Sequence, residues 1–136
     1  MKTCLECKIT LKRSNYKYCS NRCQIDFQYQ VYIKQWQMGL KDGSRGIVAR
    51  NISKHLKRYL IEHYGEACSQ CGWHLKHPVS DRVPLEIDHI DGDAENNQEN
   101  NLRLICPNCH SLTPNFRNLN KGKGRTWRSL KYIKNK

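Results

Sequence analysis

The chain has 136 residues, with 24 Lys or Arg against 12 Asp or Glu, which gives a formal net charge of +12. Only 38% of the residues are hydrophobic, and no apolar run approaches the roughly 20 residues that a membrane-spanning helix requires. The first ten residues also lack the apolar core of a secretory signal. We therefore expect no membrane association, a cytoplasmic location, and one ordinary domain or a compact domain with a small appendage.

Charge is unevenly distributed along the chain. Residues 67–110 contain three basic and seven acidic residues, whereas residues 111–136 contain eight basic residues and no acidic one. Basic segments attract nucleic acid by releasing counterions from its phosphates. Basic flanks around an acidic middle thus indicate a polyanion-binding protein with a cation bound centrally. A soluble protein with charged, solvated faces is the alternative.

The eight cysteines form four close pairs, each with two or three residues between its members. Such pairs can place four sulfurs around one tetrahedral ion, as in structural zinc sites. A disulfide framework would need an oxidising compartment, and a single redox site would not need four pairs. The spacing predicts two structural Zn²⁺ sites, Cys4, Cys7, Cys19 and Cys23 in the first, and Cys68, Cys71, Cys106 and Cys109 in the second.

Residues 1–38 are predicted to form a zinc knuckle followed by a helix. Ser20 is a suitable N-cap for that helix, and Gly39 is expected to stop it. The segment 39–46 contains three glycines and is predicted to be a linker.

A second helix is predicted over about 51–64, with Gly65 ending it. Next, Val83, Leu85 and Ile87 alternate with polar residues and Pro84, which predicts a strand with one buried face. A turn-rich polar loop follows over 91–100. A second, short strand is predicted over 101–105, and a helix is predicted to begin at Pro107. The predicted architecture is small α+β.

Three motifs within this region resemble the signature of the HNH endonucleases. They are Asp88-His89-Ile90-Asp91-Gly92, Asn100-Asn101-Leu102-Arg103-Leu104, and Cys106-Pro107-Asn108-Cys109-His110. The similarity covers about residues 50–120. It is strongest to small phage-encoded HNH endonucleases with an N-terminal zinc knuckle. The expected location of the protein is therefore the cytoplasm, which could be that of a phage-infected bacterium. The resemblance implies a ββα-metal (His-Me) finger clamped by the second Cys4 site, within a nuclease domain spanning 47–120.

The resemblance also implies a role for each motif residue. His89 corresponds to the general base that takes a proton from water, and its imidazole suits that task near neutral pH. Asp88 and His110 correspond to the ligands of one catalytic cation, Mg²⁺ or Mn²⁺. Asn101 corresponds to the residue that braces the loop and keeps the base oriented. The implied products carry 5′-phosphate and 3′-hydroxyl ends.

The remaining basic residues are candidates for gripping the phosphates of double-stranded DNA. The tail 121–136 suits that task, although a disordered solubilising tail is the alternative. Arg103 could contact phosphate or pair with a carboxylate. Glu86 could support a residue that binds the cation or face solvent, and we expect it to face solvent. Candidate DNA-binding residues are Arg103, Arg117, Lys121, Lys123, Arg125 and Arg128.

Two other functions fit the same features. One is a non-catalytic zinc-finger DNA-binding protein with a degenerate nuclease core, although Asp88, His89, Asn101 and His110 are all present. The other is a nuclease that acts on RNA, which the charge does not distinguish from one acting on DNA.

Overall fold

The computed structural model describes residues 1–45 and 51–120, and it divides into two compact units, Met1–Lys41 and Asp42–Lys136. The division falls within the predicted linker 39–46. The tail 121–136, with the candidate DNA-binding residues Lys121, Lys123, Arg125 and Arg128, lies outside the described residues.

The first unit is a cysteine knuckle followed by helix α1, Asn21–Gln37. Ser20 caps this helix as predicted, because its side chain accepts a hydrogen bond from the backbone N–H of Cys23 at 3.2 Å. Tyr29, Ile33 and Trp36 form the buried stripe of α1. The chain leaves the helix through Gly39, whose φ of +78° favours glycine.

The second unit contains helix α2, Lys54–Tyr64, and an isolated antiparallel bridge between Ser44 and Ile52 precedes it in sequence. The hydroxyl of Ser53 caps α2, and Gly65 follows its last residue with a φ of +88°. Leu56 and Leu60 are fully buried, so they anchor α2 in the core. The other buried aliphatic side chains of this unit come from the hairpin region: Val83, Leu85, Leu102, Leu104 and Ile105.

The hairpin consists of strand β1, Glu86–His89, paired antiparallel with strand β2, Leu102–Ile105. Helix α3, Pro107–Ser111, follows β2 directly. Short 3₁₀ turns occupy Glu99–Asn101 and Arg117–Asn120. These elements confirm a small α+β fold.

The pattern of burial along β1 differs from the simple alternation predicted for 83–90. Val83 and Leu85 are buried, but Ile87 is only half-buried and Asp88 is buried instead. A tight turn at Pro84, where the N–H of Leu85 donates to the carbonyl of Val83 at 2.8 Å, precedes β1. Along β1, the Asp88 carboxylate is covered by Arg103 of β2 at 2.7 Å and His110 of α3 at 4.0 Å.

Within residues 1–45 and 51–120, none of the helices has the length and apolar character needed to cross a membrane.

Candidate functional site

The eight cysteines gather into the two predicted groups of four. Within each group the four sulfur atoms all lie within 4.8 Å of one another. Measured separations are 3.4 Å between Cys7 and Cys19, and 3.8 Å between Cys71 and Cys106. A tetrahedral zinc with Zn–S bonds of about 2.3 Å places its sulfurs about 3.8 Å apart, so both groups fit this ion. All eight are free thiols, which argues against the disulfide alternative.

The second cysteine group is built into the hairpin and α3. The Sγ atom of Cys106 accepts a hydrogen bond from the N–H of Cys109 at 3.4 Å, and thereby caps α3. The backbone N–H of Ser69 donates to the carbonyl of Leu104 on β2 at 2.9 Å. A metal held by this group would therefore fix α3 to the end of the hairpin.

Each group contains one thiol that ionises readily. Burial opposes ionisation of Cys68, yet backbone N–H groups of Cys71 and Cys106 lower its pKa to about 6. In the same way, backbone N–H groups lower the pKa of Cys4 to about 6 against the effect of burial. By contrast, hydrogen bonds from neighbouring thiols raise the pKa of Cys19 and of Cys109 to about 12. Cys4 and Cys68 thus each offer a thiolate at neutral pH to receive a metal cation.

Asp88 and His110 meet at the junction of β1 and α3. The Nε2 atom of His110 lies 4.0 Å from Oδ1 of Asp88. Two metal–ligand bonds of about 2.1 Å can span this distance when they lie roughly opposite each other. Asp88 is buried, with 6% of its surface exposed, while His110 is half-buried. Together they offer one oxygen and one nitrogen, and they leave most of a cation's coordination sphere for water and phosphate.

Glu86 holds the His110 ring. The Nδ1 atom of His110 donates a hydrogen bond to a carboxylate oxygen of Glu86. Metal-binding histidines commonly donate their second ring N–H to a carboxylate in this way. In the neutral ring, a proton on Nδ1 leaves the lone pair on Nε2, the nitrogen that faces Asp88. Glu86 is 52% exposed, in line with the expected solvent-facing side chain, and it also contacts a candidate cation ligand, as the other interpretation of this residue required.

Arg103 pairs with Asp88 across the hairpin. The two residues are direct partners in the β1–β2 register, and Nε of Arg103 lies 2.7 Å from Oδ2 of Asp88. Arg103 was expected either to contact phosphate or to pair with a carboxylate, and the structure shows the pairing with a carboxylate. A phosphate contact by this residue stays a prediction.

His89 ends β1, and its ring is held by a residue that the sequence did not single out. Its Nε2 atom lies 2.7 Å from Oδ1 of Asn97. Asn97 is buried, and its amide nitrogen donates to the backbone carbonyl of Asp42 at 2.9 Å.

Asn101 braces the loop that joins the two strands. Its amide nitrogen donates to Oδ1 of Asp91 at 2.8 Å and to the carbonyl of Asn96 at 2.9 Å. Its Oδ1 accepts from the N–H of Asp91 at 3.0 Å. Hydrogen bonds, first from the side chain of Asn96, lower the pKa of Asp91, so this carboxylate stays charged and keeps the loop network intact. Asn101 thus bonds within the loop, whereas the side chain bonded to His89 is that of Asn97. A role for Asn101 in orienting the base stays a prediction.

Arg117 lies close to the candidate cation site through an aromatic contact. Its guanidinium is 4.9 Å from the centre of the Phe116 ring, and Phe116 meets the His110 ring edge-on at 5.3 Å. Arg117 is exposed, and a phosphate contact by this residue stays a prediction.

Comparison with known proteins supports the resemblance. Residues 68–115, which include β1, β2, α3 and the second cysteine group, match the family model described as HNH endonuclease. Over 96 residues the chain is 42% identical to the H-N-H endonuclease F-TflIV of Escherichia phage T5. That alignment covers 71% of this chain but only 40% of the phage protein, so the chain spans less than half of its relative's length. No solved structure matches the chain significantly.

Proposed function

We propose that this chain is a metal-dependent DNA endonuclease whose active site lies in the segment 68–115, the part that matches the HNH endonuclease family. The observation that carries the proposal is the Asp88–His110 pair, with 4.0 Å between its donor atoms and with the second ring nitrogen of His110 held by Glu86. Such a pair is suited to one hard divalent cation, Mg²⁺ or Mn²⁺, and the hairpin with α3 would then serve as a ββα-metal finger.

Phosphodiester hydrolysis needs a nucleophile, stabilisation of charge on the phosphate, and help for the leaving 3′ oxygen. A cation held by Asp88 and His110 would supply charge stabilisation at the phosphate. His89, one residue beyond Asp88 on β1, accepts the proton of the attacking water. Cleavage of the bond to the 3′ oxygen leaves a 5′-phosphate and a 3′-hydroxyl.

The other features support this proposal in a structural role. Two Zn²⁺ ions held by the cysteine groups would stabilise a chain with a small apolar core. Arg117 near the Asp88–His110 pair, and the basic segments elsewhere in the chain, would contact the backbone of double-stranded DNA. The acidic middle of the chain, which would repel DNA by itself, is where the cation would bind.

The test is cleavage of supercoiled plasmid by the full chain loaded with zinc, with Mg²⁺ or Mn²⁺ added. We expect nicked or linear products that DNA ligase reseals, because ligase requires 5′-phosphate and 3′-hydroxyl ends. EDTA and the His89→Ala variant should each abolish the reaction. If the chain binds DNA but does not cut any tested DNA in either metal, it is a non-catalytic binding protein. Cleavage of RNA alone in a parallel assay would contradict the choice of substrate.

A further inference from the structure

We propose that Asn97 is a positioning residue that holds His89 in one tautomer, and that the segment Asp42–Ser44 holds Asn97 in turn. This inference rests on the proposed function, in which His89 is the general base. It assigns a role in the reaction to residues that lie outside the three HNH motifs. It also predicts which nitrogen of His89 receives the proton.

The orientation of the Asn97 amide follows from its two partners. A backbone carbonyl can only accept hydrogen bonds, so the contact of 2.9 Å with Asp42 must involve the amide nitrogen of Asn97. The amide oxygen then faces Nε2 of His89 at 2.7 Å. An oxygen acceptor at this distance requires a proton on Nε2. The neutral ring therefore keeps its lone pair on Nδ1, which is the atom that accepts the proton from water.

The segment that supports Asn97 is closely packed. The N–H of Ser53 donates to the carbonyl of Gly43 at 2.8 Å, and Oδ1 of Asp42 accepts from the N–H of Ser44 at 2.8 Å. These contacts fix the carbonyl of Asp42 that receives the Asn97 amide.

Gly43 allows this close approach. Its φ is +83°, and a Cβ atom placed on it would lie 2.7 Å from the Cβ of Asn97 and 2.7 Å from Cδ1 of Leu56. Any larger residue at this position must therefore push Asn97 away from His89 or displace the segment. Although the sequence places Gly43 in a linker, its packing makes it part of the support for the base.

Two glycine variants give a matched comparison. Gly43→Ala adds a methyl group against Asn97, whereas Gly65→Ala adds one at a similar φ of +88° with no atom within 4 Å. Both variants place alanine at a positive φ, but only the first adds an atom against Asn97. Asn97→Ala removes the contact directly. Circular dichroism and zinc content of each variant report whether the fold is retained.

The first measurement is nitrogen NMR of the zinc-loaded full chain labelled at histidine, at alkaline pH where imidazoles are neutral. We expect His89 to be protonated on Nε2 in the wild type and in Gly65→Ala, and to become a mixture of tautomers in Asn97→Ala. A wild-type His89 protonated on Nδ1, or an unchanged tautomer in Asn97→Ala, would overturn the proposal. This measurement does not depend on nuclease activity. It therefore tests the hydrogen bond between His89 and Asn97 even if the proposed function is wrong.

The second measurement is single-turnover cleavage of duplex DNA, together with DNA affinity. Asn97→Ala and Gly43→Ala should lower the rate constant by about 10- to 100-fold, because a small misplacement of a reacting group is costly. DNA affinity and zinc content should stay unchanged, and Gly65→Ala should cleave at the wild-type rate. Equal rates in Gly43→Ala, Asn97→Ala and the wild type would contradict a positioning role. An inactive wild type would instead contradict the proposed function.

Discussion

The Nε2 atom of His110 lies 4.0 Å from a carboxylate oxygen of Asp88, although one residue comes from β1 and the other from α3. The β2 strand and the cysteine group at the start of α3 bring the two side chains together. This pair is separate from the two cysteine groups, so its metal binding can be measured while zinc stays in place.

Replacing either member of the pair should weaken binding of the catalytic cation. We expect Asp88→Asn and His110→Ala each to raise the dissociation constant for Mn²⁺ by at least about tenfold, because each removes one of two protein ligands. Titration followed by electron paramagnetic resonance measures this constant. His77→Ala, which removes an exposed imidazole, is the matched control. Unchanged Mn²⁺ affinity with both variants would place the cation elsewhere.

Glu86 should increase the affinity for Mn²⁺ because it orients the His110 ring. Glu86→Ala frees the ring, and we expect Mn²⁺ affinity to fall by about 10- to 100-fold, the usual cost of losing a residue that orients a metal-binding histidine. Glu86→Gln keeps an oxygen acceptor and should lose less. Glu62→Gln, at an exposed carboxylate on α2, should have no effect. Wild-type affinity in Glu86→Ala would show that His110 needs no such support.

Arg103 is expected to stabilise the cation-free state. Arg103→Ala leaves the buried Asp88 carboxylate without its partner at 2.7 Å, and we expect a loss of about 2 kcal/mol in the free energy of unfolding. The exposed Arg58–Glu62 pair is the control, since Arg58→Ala should cost about 0.5 kcal/mol or less. Urea unfolding of zinc-loaded protein measures both values.

The same Arg103 variant makes a second readout possible. Because Asp88 then lacks a protein counterion, added Mn²⁺ should raise the Tm of Arg103→Ala by more than it raises that of the wild type. An equal or smaller increase would contradict competition between Arg103 and a cation for Asp88.

The positions of the motif residues could be predicted because the HNH signature is local in sequence. Glu86 was also a candidate for supporting the cation site, although a solvent-facing side chain was expected. It lies two residues before Asp88, and alternate residues of a strand share a face, so a carboxylate there belonged beside the predicted cation site. The burial of Asp88 could not be read from alternation alone, because Arg103 and His110, which contact its carboxylate, come from later elements.

Asn97 could not have been predicted in the same way. It lies in a loop rich in Asp, Asn and Glu, where a further asparagine is unremarkable. Its importance depends on a contact with Asp42, 55 positions earlier in the chain, and on the packing of Gly43 against it. Such long-range contacts follow from the tertiary fold, which local spacing does not specify.

Zinc binding should release protons. Neighbouring thiols raise the pKa of Cys19 and of Cys109, and the pKa of Cys23 and that of Cys71 are also raised. These four thiols are protonated at neutral pH and must ionise to bind metal, which gives at least two protons per site. Calorimetry in buffers of different ionisation enthalpy measures this number. Since ionisation becomes harder as the pH falls, zinc affinity should fall by about 100-fold per pH unit. Release of no protons would exclude thiolate coordination.

The two cysteine groups should bind zinc independently. Cys4→Ser and Cys68→Ser each disrupt one group, so each variant should retain about one zinc per chain where the wild type holds about two. Elemental analysis after dialysis measures the content. Loss of both ions in one variant, or of neither, would contradict two separate sites.

The most direct test of the account is the single-turnover rate of Mn²⁺-dependent duplex cleavage by the wild type and by His89→Ala. We predict that His89→Ala lowers the rate constant by about 10²- to 10⁴-fold, the usual contribution of a general base, while zinc content, Mn²⁺ affinity and DNA affinity stay unchanged. A His89→Ala variant that cleaves at the wild-type rate would contradict the account.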